Sequence, residues 1–107
     1  MPGTDLPALR ITQERDGDGT VLRLAGELDL ATADQLRARL ADAAAVRRVV
    51  VDLAGLDFLD VAGLNTLLEA NRNLAAHGGR LLLRRPRPMV LRMLGLLGLD
   101  DAVEIQA

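Results

Sequence analysis

Two carboxylates, Asp29 and Asp60, each stand where an apolar strand-like run hands over to a segment with helical spacing. A pair of acids that meets in the fold supports acid–base catalysis or a hard-metal site. Neither chemistry has its other members here. The chain contains no serine, cysteine or lysine, which removes serine and thiolate nucleophiles, thiolate metal ligands and a lysine-bearing phosphate loop. His77 is the sole histidine, without co-ligands; beside Gly78 and Gly79 it reads as a helix end, where positive charge is mildly favoured. Arg84, Arg85 and Arg87 cluster around Pro86 and Pro88; such a group can contact phosphate, although a solvated surface is its default role. A small hydrolase would lack both nucleophile and base, so the expectation is a non-enzymatic chain with no cofactor and no metal.

The stretch with the most local information is Phe58-Leu59-Asp60-Val61-Ala62-Gly63-Leu64. Asp60 is placed to cap a helix by accepting from the backbone N–H of Ala62 or Gly63. Gly63 takes a side chain out of the first turn, so another backbone or a ligand can approach closely. The free N–H groups there favour an anion, and the Asp60 charge opposes it. Ala62, at the tip, can do no chemistry. Read locally, this is a capped strand-to-helix turn.

The elements around it follow from periodicity. Leu9, Ile11 and Gln13 share one face of a strand, Asp16-Gly17-Asp18-Gly19 makes a hairpin turn, and Val21, Leu22 and Leu24 lie on the returning arm. Gly26-Glu27-Leu28-Asp29 leads out of it. Thr32 and Gln35 have capping-box spacing, Asp34 sits in the first turn, and Ala33, Leu36, Leu40 and Ala44 mark one face of a helix. The β-branched run Val49-Val50-Val51 suits a buried strand. After the junction, Leu64, Leu67, Leu68, Asn71, Leu74 and Ala75 recur at helical spacing until the glycine stop at Gly78-Gly79. Arg80 to Arg85 form a further short strand, Pro88 opens a third helix to Leu97, and Asp101 to Ile105 close with a last strand. The third helix is apolar nearly all round; burial against the sheet is the favoured reading, and a partner surface is the other. Strands joined through helices imply crossovers and parallel pairing. The expected fold is α/β: one domain over residues 1–107, with a mixed sheet of four to five strands and helices packed mainly on one face.

Composition narrows the partners. At 107 residues with half of them hydrophobic, the chain suits one globular core. A net charge of −2, with Phe58 the only aromatic, gives neither electrostatic pull toward nucleic acid nor stacking platforms for it. The first ten residues lack a basic segment followed by an apolar run, and no apolar run approaches the roughly 20 residues a membrane span needs. A soluble, cytoplasmic protein without direct contact to nucleic acid or membrane is therefore expected.

In order along the chain, "LAGELDLATADQLRARL", "VVVDLAGLDFLDVAGLNTLLEANRNLAAHGGRLLL" and "VLRMLGLLGLDDAVEI" resemble the STAS domain of bacterial anti-sigma factor antagonists, from about Leu9 to Ile105. The resemblance implies a partner switch. In that family the residue before the junction glycine is a serine or threonine, phosphorylated by an anti-sigma factor of the serine kinase type. The unphosphorylated antagonist binds the anti-sigma factor and the phosphorylated one lets go. Here the matching position is Ala62, and Val61 has no hydroxyl either. The resemblance places Asp29 and Asp60 on the kinase-facing surface. The expected partner-binding set is Asp29, Asp60, Val61, Ala62 and Gly63, bordered by Leu64 and Thr66. Thr66 and Thr32 are weak alternative acceptors, because a mid-helix threonine commonly bonds back to the preceding turn and Thr32 is explained as a cap.

Three accounts fit an alanine at this position: an antagonist locked in its binding state, a fold kept as a docking or sensing module, or an engineered replacement of the acceptor. A ligand-sensing or transporter-associated STAS module without phosphorylation is the alternative function. A homodimer is left open by the sequence.

Overall fold

The computed structural model of the protein describes residues 8–43, 47–98 and 101–107. Strands β1 (Leu9–Asp16), β2 (Gly19–Leu28), β3 (Arg48–Leu59), β4 (Arg80–Arg84) and β5 (Glu104–Gln106) form one sheet in the order β1-β2-β3-β4-β5. Helices α1 (Ala33–Ala43), α2 (Val61–Ala76) and α3 (Pro88–Leu96) make the three crossovers. The β1–β2 pair is antiparallel and every later pair is parallel, which gives the expected mixed sheet of an α/β domain. In the hairpin, Asp16 faces Gly19, and positive φ is confined to the first central residue, Gly17 at 64°, the arrangement of a II′ turn.

All three helices cover one face. The main core joins Leu36 and Leu40 of α1, Leu64, Leu67 and Leu74 of α2, and Val90 and Leu94 of α3 to Leu22, Leu24, Val49, Val51, Leu81 and Leu83 of the sheet. Crossovers of one hand that step across a sheet in one direction must land on the same side. The other face carries a row of apolar residues, Val21, Val50 and Leu82, aligned by strand register. The next row in the same register is Arg23, Asp52 and Arg84.

Two irregularities shape the end of the sheet that carries the junction. Register slips between Arg23 and Ala25 and again between Gly26 and Glu27, each time with one more residue on β3 than on β2. These bulges bring Leu53, Leu56 and Leu59, three residues apart, all onto the buried side, which a regular strand of period two cannot do. Gly26, at φ 106°, allows the carbonyl of Ala8 to lie where a Cβ would be only 2.2 Å away, and the Glu27 N–H donates to that carbonyl.

Several local expectations are corrected. Thr32 and Gln35 do not close a capping box: the Thr32 hydroxyl donates back to the Glu27 carbonyl (2.9 Å), and the Gln35 amide reaches the Leu9 carbonyl (2.9 Å). The pull of two nearby strand carbonyls outcompetes the reciprocal cap. Gln13 is exposed and accepts from Arg39. On α2 the buried stripe is Gly63, Leu64, Thr66, Leu67, Ala70 and Leu74; Ala75 is exposed, because α1 packs on the Thr66–Ala70 side. Ala44, expected on the α1 face, lies outside the described residues. The stop of α2 is a Schellman closure around Gly78 (φ 79°), with Gly79 N–H donating to Leu74 O (2.7 Å) and Gly78 N–H to Ala75 O (3.1 Å). Burial of α3 is also only partial: Val90 and Leu94 enter the core, while Met89, Leu91, Leu96 and Leu97 remain exposed, since a single layer contacts a helix from one side.

Candidate functional site

The β3–α2 junction is built by one carboxylate doing two jobs. The Asp60 Oδ1 atom accepts from the Gly63 N–H (3.0 Å), the N-cap bond, and its Oδ2 accepts from the Leu30 N–H (3.2 Å) in the β2–α1 loop. Asp60 N–H in turn donates to the Leu28 carbonyl (3.2 Å). The two acidic loops are thereby tied together. Asp29 caps its own turn: Oδ1 accepts from the N–H groups of Ala31 (3.0 Å) and Thr32 (3.2 Å). Both carboxylates are thus engaged in structural bonds that hold the two loops.

Gly63 is needed by packing. A Cβ there would lie 2.7 Å from Leu28 Cγ, 2.8 Å from the Leu28 carbonyl oxygen and 2.8 Å from Leu59 Cδ1. It lets α2 settle onto the ends of β2 and β3, and the backbone that approaches it belongs to this chain. Leu64 and Thr66, expected to border the surface, are instead buried. Leu64 is core. Thr66 is only 1% exposed, donates its hydroxyl to the Ala62 carbonyl (3.0 Å) and accepts from Arg37 (3.2 Å). Helix periodicity accounts for both: positions 64, 66 and 67 point toward the sheet and α1 once Gly63 faces Leu28.

The outward side of the junction is Val61, 55% exposed, and Ala62, half-buried. Ala62 opens onto a groove between α1 and α2 whose lining includes Leu30, Ala33, Arg37, Leu68 and Arg72. Leu30, 79% exposed, was not singled out from the sequence. An apolar residue inside the polar loop "ELDLATAD" was the available signal, and only the Asp60 bond shows why it stands beside the junction.

A second charged centre lies on the uncovered face. Asp52, 2% exposed, accepts from the Ala54 N–H (2.9 Å) and the Arg84 guanidinium (3.2 Å), is also bonded by Arg85, and lies 4.0 Å from Arg23 Nε. Burial alone pushes the Asp52 carboxyl up, but the bonds from Arg85, Ala54 and Arg84 together outweigh it, and its pKa falls below the ordinary carboxylate value. Among the described residues no group of three or more His, Asp or Glu side chains is arranged to hold a metal ion, and no helix is long and apolar enough to cross a membrane.

With this geometry in view, the family relationships are direct. Residues 11–106 match the family described as "Mlab, STAS domain". The chain is 36% identical over 94 residues to the anti-sigma F factor antagonist of Lysinibacillus sphaericus, covering 81% of this chain and 80% of that protein. This chain is a STAS domain of the anti-sigma factor antagonist family. Among solved structures, the antagonist SpoIIAA in its unphosphorylated form superposes on this STAS domain with a TM-score of 0.78 at 29% identity, over 92% of this chain and 89% of that one. An anti-sigma factor antagonist from Mycobacterium paratuberculosis gives a TM-score of 0.84 at 25% identity, over 92% of this chain and 85% of its own. The STAS fold expected from the sequence is thus the fold observed, with all five strands present.

Proposed function

We propose that this STAS domain binds an anti-sigma factor of the serine kinase type through Asp29, Leu30, Asp60, Val61 and Ala62, with Gly63 buried beneath them, and that the kinase cannot release it by phosphorylation. Kinship with antagonists of anti-sigma factors supports the partner class. The observation that carries the locked state is Ala62: it lies half-buried at the rim of the α1–α2 groove with a methyl group where the family's switch has a hydroxyl. Neither of the two alternative hydroxyls substitutes for it. Thr66 is buried and bonded to the Ala62 carbonyl, and Thr32 is buried and bonded to Glu27.

The physics of the missing switch is electrostatic. A phosphate adds about −1.5 to −2 charges. At position 62 it would stand two residues from Asp60, at a surface that also carries Asp29, and a docked partner would meet repulsion and lost contact area together. With alanine in place, the apolar patch of Leu30 and Val61 keeps its character whether or not ATP is present. The test mixes the domain with each kinase-type anti-sigma factor of its own genome, with and without ATP and magnesium, followed by gel filtration and intact-mass measurement. A complex that survives ATP, with no added phosphoryl mass, is the expected result. Phosphate on Thr66 or Thr32, or the absence of any complex, overturns the proposal.

A further inference from the structure

The uncovered face of the sheet holds a hollow that no part of the junction uses. It forms where the first β3 bulge meets a run of small residues: Ala25, Ala54 and Gly55 floor it beside the Leu24 backbone, and Arg10, Thr12, Arg23, Arg85 and Asp52 wall it. Gly55 is small because a Cβ would lie 2.9 Å from the Leu24 carbonyl oxygen, so the depression is a consequence of close strand packing at the bulge. Its floor is apolar and its rim cationic.

Three observations set this rim apart from an ordinary surface ion pair. Arg23, Arg84 and Arg85, from two strands and the turn after β4, all converge on the single carboxylate of Asp52. Arg23 also pairs with Glu14, yet the lining itself carries three positive side chains, Arg10, Arg23 and Arg85, against one negative, Asp52. Beside the hollow and outside its lining, Arg84 keeps a buried Nε–H with no acceptor among the described residues. Arg85 is the only non-glycine residue described with positive φ, at 55°, and its backbone is pinned there by its N–H bond to the Gln106 carbonyl (2.8 Å). A strained backbone that aims a guanidinium into an already over-supplied cluster is the kind of outlier from which function is inferred. Each guanidinium has five N–H donors, and one carboxylate shared by three of them leaves several unused.

We propose that this hollow is a binding site for an organic phosphate monoester, with the phosphoryl group held by Arg10, Arg23 and Arg85 and a small apolar body resting on Ala25, Ala54 and Gly55. An excess of two positive side chains matches a group of about −1.5 to −2 charges, and the planar fork of arginine suits phosphoryl oxygens better than a point charge does. Asp52 sets the guanidinium planes and leaves ligation to their outer N–H groups. The site lies on the sheet face opposite the helices, so it stands or falls independently of the partner surface around Ala62. A phosphate monoester reaches it either as a free small molecule or as a phosphatidate headgroup.

The probe is phenyl phosphate, titrated into the isotope-labelled full chain with amide shifts followed by NMR; inorganic phosphate and phenol run as controls. Saturable shifts at Ala25, Ala54 and Gly55, with α2 amides unmoved and both controls weaker by about tenfold or more, are expected. The double variant Arg10→Gln, Arg85→Asn should lose about tenfold or more in affinity while keeping its dispersed spectrum, since asparagine tolerates the positive φ of position 85. Sedimentation with phosphatidate-containing against phosphatidylcholine vesicles separates the sources: pelleting that phenyl phosphate competes away assigns the headgroup, and saturable binding without pelleting assigns a free ester. Shifts that never saturate, that inorganic phosphate reproduces in full, or that persist unchanged in the double variant overturn the site.

Discussion

At the scale of single residues, Asp60 and Ala62 divide structure from regulation. Asp60 holds both ends of the junction, one oxygen on Gly63 and one on Leu30, and an N-cap of this kind contributes about 1 kcal/mol. Ala62 contributes almost no bond of its own beyond a carbonyl for Thr66. That asymmetry makes position 62 free to change without cost to the fold. Ala62→Ser should therefore leave the melting temperature nearly unchanged, because the site is half-buried and opens on a groove. With a kinase-type anti-sigma factor and ATP, the serine variant should gain a phosphate at position 62 and leave the complex, read by intact mass and gel filtration. A serine variant that is phosphorylated yet stays bound would sink the electrostatic account of release.

Among the elements, the decisive contact is α2 against the ends of β2 and β3. Gly63 makes it, and Gly63→Ala tests it. The added Cβ would sit within 2.8 Å of both Leu28 and Leu59 atoms, one of them a backbone oxygen that cannot rotate away. Overpacking costs about 1–3 kcal/mol, and the better helix propensity of alanine returns up to about 1 kcal/mol. The expected net loss is about 1–2 kcal/mol, or roughly 4–15 °C in melting temperature for a domain of this size. Partner binding should weaken as well, since α2 must shift relative to the Leu30 loop. An unchanged melting temperature would mean that the junction packs more loosely than these distances require. The third helix behaves differently: its exposed Met89, Leu91, Leu96 and Leu97 show that apolar composition all round a helix does not guarantee burial when only one sheet face is offered.

For the whole molecule, Asp52 links strands that are far apart in sequence, joining β2, β3 and the turn after β4 in one ion-pair group on the uncovered face. Its folded-state pKa lies below the unfolded one, so its contribution is complete above the unfolded value near pH 4 and is lost as pH falls through the lower folded value. Asp52→Asn should destabilise the protein by about 2 kcal/mol at neutral pH, less than a fully buried pair because two of its three arginine partners are half-exposed. Denaturant titrations from about pH 6 to pH 3 should show the gap between wild type and variant narrowing on the acid side. A gap constant over that range would show that the carboxylate charge does not matter and that shape alone does.

Much of this protein was legible locally. The β-branched run of β3, the Asp-Gly hairpin turn, the Asp60 cap with Gly63 and the glycine stop after α2 are all properties of dihedral preference and nearby hydrogen bonds, which neighbours in sequence decide. They were enough to predict an α/β domain, and the order of motifs supplied the family. Other features depend on register and on which strand lies beside which. The bulges that bury Leu53, Leu56 and Leu59 in steps of three, the bond from Leu30 to Asp60 across 30 residues, and the gathering of Arg23, Arg84 and Arg85 on Asp52 all arise from long-range pairing. No local preference encodes them, because each is fixed by the sum of many distant contacts that exist only once the sheet has closed in one register.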